Sequence, residues 1–218
     1  MLALNERPVG TRLGRDGFAK ISGAPPAVME KLDAFVALLV AWNRRINLVG
    51  ANTIGDVWRR HILDSAQLYP LLPAPVRVGA DFGSGAGLPG MVLAIMGVPE
   101  MHLIESDQRK AAFLREAKRV TGAPVEIHAQ RAERLSPFKV DVAVARAVAK
   151  LDDLLHMVYP YLMPHSMCLF LKGKGAETEL ALAQNRWSMT AQAVPSRTDP
   201  AGRILILAGV RPERDAAS

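Results

Sequence analysis

The sequence has a single cysteine, Cys168, among its 218 residues. One thiol excludes a disulfide framework within the chain and fits a reducing compartment. The five histidines (His61, His102, His128, His156 and His165) are scattered. None stands at ligand spacing from a cysteine or a second histidine, so no metal site is expected. The longest apolar run, Ala34 to Trp42, is too short to cross a bilayer, and the N-terminus lacks the basic start and apolar core of a signal peptide. Internal repeats and low-complexity tracts are missing as well. The expectation is a cytoplasmic, soluble protein with no membrane partner.

What is present is ample apolar material, with 50% hydrophobic and 22% charged residues, enough for a sizeable core. The net charge of +6 points to a polyanionic partner, nucleic acid before membrane. Residues 1 to about 24 read as a loose arm or short helix. After Pro25-Pro26, Met29, Leu32, Val36, Leu39, Trp42, Ile46 and Val49 recur at helical steps, with Gly50 as a stop. Thr53 and Asp56 resemble a capping box for a second helix that ends before Pro73.

From Val76 onward strands and helices alternate. The strands are predicted at 76–81, 100–105, 123–129, 140–146, 166–172, 187–194 and 203–209, and the helices at 88–97, 107–121, 148–162 and 174–185. Ser106 and Gly122 are expected to cap the 107–121 helix. Such alternation predicts an α/β fold, a mostly parallel sheet with helices on both faces and an antiparallel hairpin at one edge. The division expected is an N-terminal arm and helical extension over 1–75, a core over 76–210 and a polar tail over 211–218.

The chemistry gathers on Asp81-Phe82-Gly83-Ser84-Gly85-Ala86-Gly87-Leu88-Pro89-Gly90, a strand–loop–helix junction. Glycines there let a ligand approach the main chain at a helix N-terminus. The loop also matches the dinucleotide pattern G-x-G-x-x-G, but Asp81 before it would repel a pyrophosphate and suits an amine-bearing ligand. Glu105 closes the second strand, where an acid accepts from ribose hydroxyls. Ala132 and Glu133 follow the third strand, where a loop is placed to flank an adenine. Arg146 ends the fourth strand and reaches the crevice where ligands bind. Lys172 and Lys174, after the fifth strand, are candidates for phosphate or base, and Arg44, Arg45, Arg59 and Arg60 for phosphate contacts. Asn43, Asn47, His61, Asp64 and Ser65 are polar residues on otherwise apolar helices, with Asp64 and Ser65 on the face of His61.

The glycine motif, with Trp42-Asn43-Arg44-Arg45-Ile46-Asn47-Leu48 and His61-Ile62-Leu63-Asp64-Ser65 before it, resembles the bacterial small-subunit ribosomal RNA guanine-N7 methyltransferases, the glucose-inhibited division protein B family. The resemblance runs from about residue 28 to 210. It implies a class I, Rossmann-like methyltransferase fold, seven strands plus N-terminal helices, using S-adenosylmethionine. It implies cofactor contacts at Gly83, Leu88, Ala132, Glu133 and Arg146, with Asp81 near the methionyl amine and Glu105 at the ribose. Gly85 belongs to the same cradle. The implied substrate is a guanine in the decoding-region loop of 16S ribosomal RNA, free or in a small-subunit precursor.

The residue inventory agrees with N7 methylation. That nitrogen bears a free lone pair and no proton, so attack on a sulfonium methyl needs positioning and no general base. Carbon methylation would want a cysteine nucleophile, and Cys168 lies mid-strand. Methylation of an exocyclic amine would want an Asn/Asp-Pro-Pro-aromatic loop where Ala145-Arg146-Ala147-Val148 stands. Arg146 and Lys172 are the positioning candidates. Two alternatives stay open at this point: a nicotinamide-dependent oxidoreductase, and a non-catalytic RNA-binding assembly factor on the same fold.

Overall fold

The computed structural model describes residues 12–213; the expectations for residues 1–11 and for the tail beyond 213 lie outside the described residues. Seven strands form one sheet in the order β3-β2-β1-β4-β5-β7-β6. They are β1 (Val78–Phe82), β2 (Glu100–Ile104), β3 (Val125–His128), β4 (Val140–Arg146), β5 (Leu162–Lys172), β6 (Trp187–Pro195) and β7 (Arg203–Pro212). The pairs among β1 to β5 are parallel, and β7 runs antiparallel between β5 and β6. All seven predicted strands are present, and the antiparallel hairpin is at the expected edge.

Side chains alternate across the sheet, so each face builds its own core. Along β4, Val142 and Val144 face one side, Ala143 and Ala145 the other. The first face is covered by α1 (Arg15–Ser22), α2 (Pro26–Asn43), α3 (Asp64–Ala66), α4 (Gly90–Met96) and α5 (Gln108–Thr121). The N-terminal helices thus share a core with the sheet: Phe35 and Trp42 of α2 meet the Phe113 ring at centroid distances of 6.2 and 5.7 Å. The second face is covered by α6 (Leu151–Val158) and α7 (Ala176–Ala183), with Phe82 against Tyr161 at 5.1 Å.

Several local expectations are corrected. The helix predicted to run to Val49 ends at Asn43, because Asn43 Oδ1 accepts both Leu48 N and Val49 N at 2.9 Å and turns the chain back. Thr53 and Asp56 make no capping box. The Thr53 hydroxyl donates to the Gly50 carbonyl at 2.6 Å, and Asp56 holds Arg59 Nε at 2.6 Å. In place of one long second helix, the chain forms a 3₁₀ segment (Ala51–Asp56), a π-helical turn (Trp58–Leu63), the short α3 and a further 3₁₀ turn (Tyr69–Leu71). The N-cap of α5 is Asp107, not Ser106, accepting from Arg109 N at 2.8 Å, while Gly122 closes the helix in the left-handed region as expected. The 148–162 helix is confined to α6, and β5 begins four residues earlier than the predicted 166.

Candidate functional site

The carboxyl ends of β1, β2 and β4 converge on the glycine loop. Ser84 pins it, donating its amide to the Ile104 carbonyl at 3.0 Å and its hydroxyl to the Asp81 carbonyl at 2.8 Å. Two glycines have different reasons to be there. Gly85 sits at φ +55°, and a Cβ on it would meet only the Gly83 carbonyl, at 3.9 Å, so the loop is open on that side. Gly90 is required by packing, since a Cβ would stand 2.5 Å from Leu103 Cδ2 and 2.7 Å from Asp81 Cβ.

Asp81 is fully buried. Its Oδ2 accepts Gly90 N at 2.8 Å and so anchors the start of α4, while Oδ1 is buried without a hydrogen-bond partner among the described residues. Burial pushes this carboxyl up to about 7; the Gly90 amide and the Arg146 charge oppose the shift. A buried acceptor with no protein partner at the foot of a glycine loop fits a ligand bearing an ammonium group.

Glu105 accepts Gly85 N at 2.8 Å through Oε2 and Asp107 N at 2.7 Å through Oε1. The two bonds fix the carboxylate at the rim and leave further lone pairs for a ligand's hydroxyls. Beside it a cavity of about 130 Å³ is lined by Gly83, Ile104, Glu105, Ala132, Val148 and Met157, among others. Apolar walls with an acid at one end suit an adenosine. Ala132 opens a 3₁₀ turn (Ala132–Arg134) at the cavity edge, where the first N–H groups lack partners within the turn. Its carbonyl is held by Tyr161 OH at 2.7 Å. Glu133 is exposed beside it. The Leu88 side chain, expected against the cofactor, is 3% exposed and lies in the core under the N-terminal helices, so only its main chain borders the loop.

A second cavity, of about 360 Å³, lies on the other side of the turn after β4 and includes Arg60, His61, Asp64, Arg146, Lys172 and Thr198 in its lining. Arg146 Nη1 contacts His61 Nδ1 at 3.2 Å, Asp64 Oδ2 at 3.3 Å and the Arg60 carbonyl at 3.4 Å. Among the described residues its Nε and Nη2 have no hydrogen-bond partner, which leaves donors for a ligand. A guanidinium only donates, so His61 Nδ1 accepts and Nε2 carries the proton, given to Thr53 Oγ1 at 2.7 Å. Thr53 passes its own proton to Gly50 O. Burial, and then the Arg146 charge, push His61 down to about 3, so the ring is neutral. Ala147, next in the chain, is a non-glycine residue at φ +50°, backbone strain of the kind found at working sites.

The structure divides the basic candidates. Arg44, Arg45 and Lys174 are exposed, and Arg60 lines the second cavity. Arg59 is tied into the fold, clamped between Asp56 and the Thr198 carbonyl through Nε and Nη1, at 2.6 and 2.8 Å. Lys172 is likewise committed, its Nζ donating to the Ala149 carbonyl at 2.5 Å and Glu179 Oε2 at 2.8 Å. It holds the turn after β4, with its Nζ already engaged where it borders the second cavity. The β6–β7 loop, which carries no motif in the sequence, also lines the second cavity. Thr198 Oγ1 bonds Asp64 Oδ1, and the Gln67 amide binds Ser196 Oγ at 3.2 Å and Arg197 N at 2.8 Å. These partners lie 129 to 134 residues apart, and no local signal announces them.

The family model for rRNA small subunit methyltransferase G matches residues 28–204. A ribosomal RNA small subunit methyltransferase G from Rhodospirillum centenum is 52% identical over 195 residues, covering 89% of this chain and 90% of the relative. One from Paramagnetospirillum magneticum is 50% identical, covering 89% and 95%. Among solved structures, TYW2 of M. jannaschii in complex with AdoMet superposes with a TM-score of 0.57 at 12% identity, covering 78% of this chain and 80% of that one. At that identity the likeness concerns the fold alone.

Proposed function

Because the chain belongs to the rRNA small subunit methyltransferase G family, we propose that it transfers the methyl group of S-adenosylmethionine to N7 of a guanine in the decoding-region loop of 16S ribosomal RNA. It is an S-adenosylmethionine-dependent methyltransferase acting on ribosomal RNA. The cytoplasm, where small subunits are assembled, is its place of work; no helix among the described residues is long and apolar enough to cross a membrane. The partnerless, buried Asp81 Oδ1 carries the cofactor reading, because it meets the need of an ammonium-bearing ligand and would repel a pyrophosphate. Family membership and this atom together disfavour the nicotinamide alternative. The intact glycine loop disfavours a non-catalytic role.

When bound, S-adenosylmethionine supplies an electrophilic sulfonium methyl. The chain's own residues then have to hold and orient. Asp81 would accept from the amino group, Glu105 from the ribose hydroxyls, and the Ala132–Glu133 turn would border the adenine. Arg146 stands at the turn between the two cavities, held by Asp64 and by the neutral His61. Guanine N7 has no proton to lose, so the site needs no general base, and the lone pair of the neutral His61, on Nδ1, is already taken by Arg146. Positioning in line is the main contribution, worth several kcal/mol in well-oriented systems. Leu48, Val49 and Leu171 give the second cavity apolar walls for a flat base, and Arg60 gives it a cation for the RNA backbone.

The test is methyl transfer to small subunits, and to protein-free 16S RNA, from a strain lacking this activity, with nuclease digestion and nucleoside mass spectrometry. One new N7-methylguanosine in the decoding-region fragment is expected. Label in another nucleoside, or none on either substrate, rejects the assignment.

A further inference from the structure

Away from the cleft, the outer strand pair carries a polar cluster that methyl transfer does not use. The register sets His102 opposite Glu126 and Ile104 opposite His128, so Glu100, His102, Glu126 and His128 project from one face. His102 Nδ1 lies 2.8 Å from His128 Nε2, and Glu126 faces the pair with both oxygens, Oε2 3.7 Å from His102 Nδ1 and Oε1 3.7 Å from His128 Nε2. That distance is too long for a hydrogen bond, yet the three groups face one point. His102 Nε2 is 3.0 Å from Glu100 Oε1. A carboxylate accepts, so Nε2 carries the proton and Nδ1 turns its lone pair to the cluster. Phe138 covers the rings, its centroid 4.1 Å from His102 and 5.5 Å from His128. Glu126 is exposed, which gives an ion a path in.

We propose that His102, His128 and Glu126 bind one divalent transition-metal ion, with Zn²⁺ the best match to the donors, at the β2–β3 edge. Two imidazoles and one carboxylate with an open fourth position are a common Zn²⁺ donor set. Nitrogens bound at tetrahedral Zn²⁺ stand roughly 3.4 Å apart, so the histidine pair opens by about 0.6 Å as the ion enters. The proton His128 shares with His102 moves to His128 Nδ1, and both rings stay neutral. Glu100 holds the far nitrogen of His102, which fixes the tautomer that ligates. The three donors share no residue with either cavity, so the site stands apart from the methyl-transfer reading. Its consequence is structural: the ion would tie the outermost strand to its neighbour just before the Ala132 loop.

The test uses the full, untagged chain stripped with chelator and titrated calorimetrically with ZnCl₂, with MgCl₂ as control. One Zn²⁺ per chain, no Mg²⁺ binding and a raised melting temperature are expected, and Co²⁺ should give the visible absorption of a tetrahedral nitrogen–oxygen site. His128→Asn should abolish binding. Glu126→Gln, a surface change that leaves the core intact, should weaken it at least tenfold, and Glu100→Gln about tenfold. Absence of Zn²⁺ binding in the unaltered chain, or binding unchanged in both His128→Asn and Glu126→Gln, overturns the proposal.

Discussion

Gly85 and Gly90 sit five residues apart in one loop, and substitution should separate their roles. Gly85→Ala imposes a left-handed backbone on alanine, about 1–2 kcal/mol, without steric crowding. The fold should survive while the affinity for S-adenosylhomocysteine, read by calorimetry, drops at least tenfold. Gly90→Ala drives a methyl into Leu103 and Asp81 and should cost stability first, on the order of 1–3 kcal/mol in denaturant melts. Two buried titratable groups tilt stability in opposite directions. Asp81 binds its proton more tightly folded than unfolded, so the cofactor-free chain loses stability as pH rises from about 4 through about 7. His61 is neutral when folded, so its contribution is present above about 6.5 and is lost as pH falls from there toward about 3. Asp81→Asn should therefore gain relative to the unaltered chain on going from pH 5 to pH 8 in denaturant melts. His61→Gln should flatten the loss between pH 7 and pH 5. His61→Gln should also release one of the three partners of Arg146, raising the cofactor KM or lowering kcat by about tenfold, the worth of one hydrogen bond to a charged group.

At the scale of elements, the β6–β7 loop is a wall of the second cavity only because it is tied to the π-helical turn and α3. Thr198→Val removes the hydroxyl that meets Asp64 and should cost about 1–2 kcal/mol. It should also speed hydrogen exchange of the loop's amides and raise the KM for RNA more than that for cofactor. Strands were legible because apolar positions alternate or run continuously between glycine and proline stops, as in Val140–Arg146. The helix after Pro25 was legible in its existence but not its end, since the stop is the Asn43 side chain reaching forward and Ile46 and Val49 continue the helical spacing by coincidence. The π-helical turn had no signature, because its one-residue insertion shifts the apolar face without changing composition. Of the candidate site, the placing of Asp81, the glycines, Glu105 and Arg146 around one crevice was legible because each stands at a strand end followed by a loop. The commitments of Lys172 and Arg59 were not, because a salt bridge to Glu179 and a bond to the Thr198 carbonyl depend on elements brought together only by folding.

For the molecule as a whole, the positive charge is available chiefly at exposed residues such as Arg44, Arg45 and Lys174. Replacing Arg44 and Arg45 together by alanine should weaken RNA binding evenly across sequences and lower the salt slope by about 1 for each phosphate that is no longer neutralised. An unchanged slope would mean that neither touches a phosphate. Stability of the fold should be unaffected, since both are solvated.

The two cavities share no lining residue and are separated by the turn from Arg146 through Val148. Occupants that meet only at this turn, where the methyl passes, need not cross each other's space to leave. The kinetic order of the reaction follows: binding should be random, and the spent nucleoside should exchange while RNA is still engaged. An encounter with an unready substrate then wastes only time, because a fresh methyl donor can be loaded without releasing the ribosomal particle. Isotope trapping should show labelled donor, added to a preformed complex of enzyme, RNA and product nucleoside, entering faster than the RNA departs.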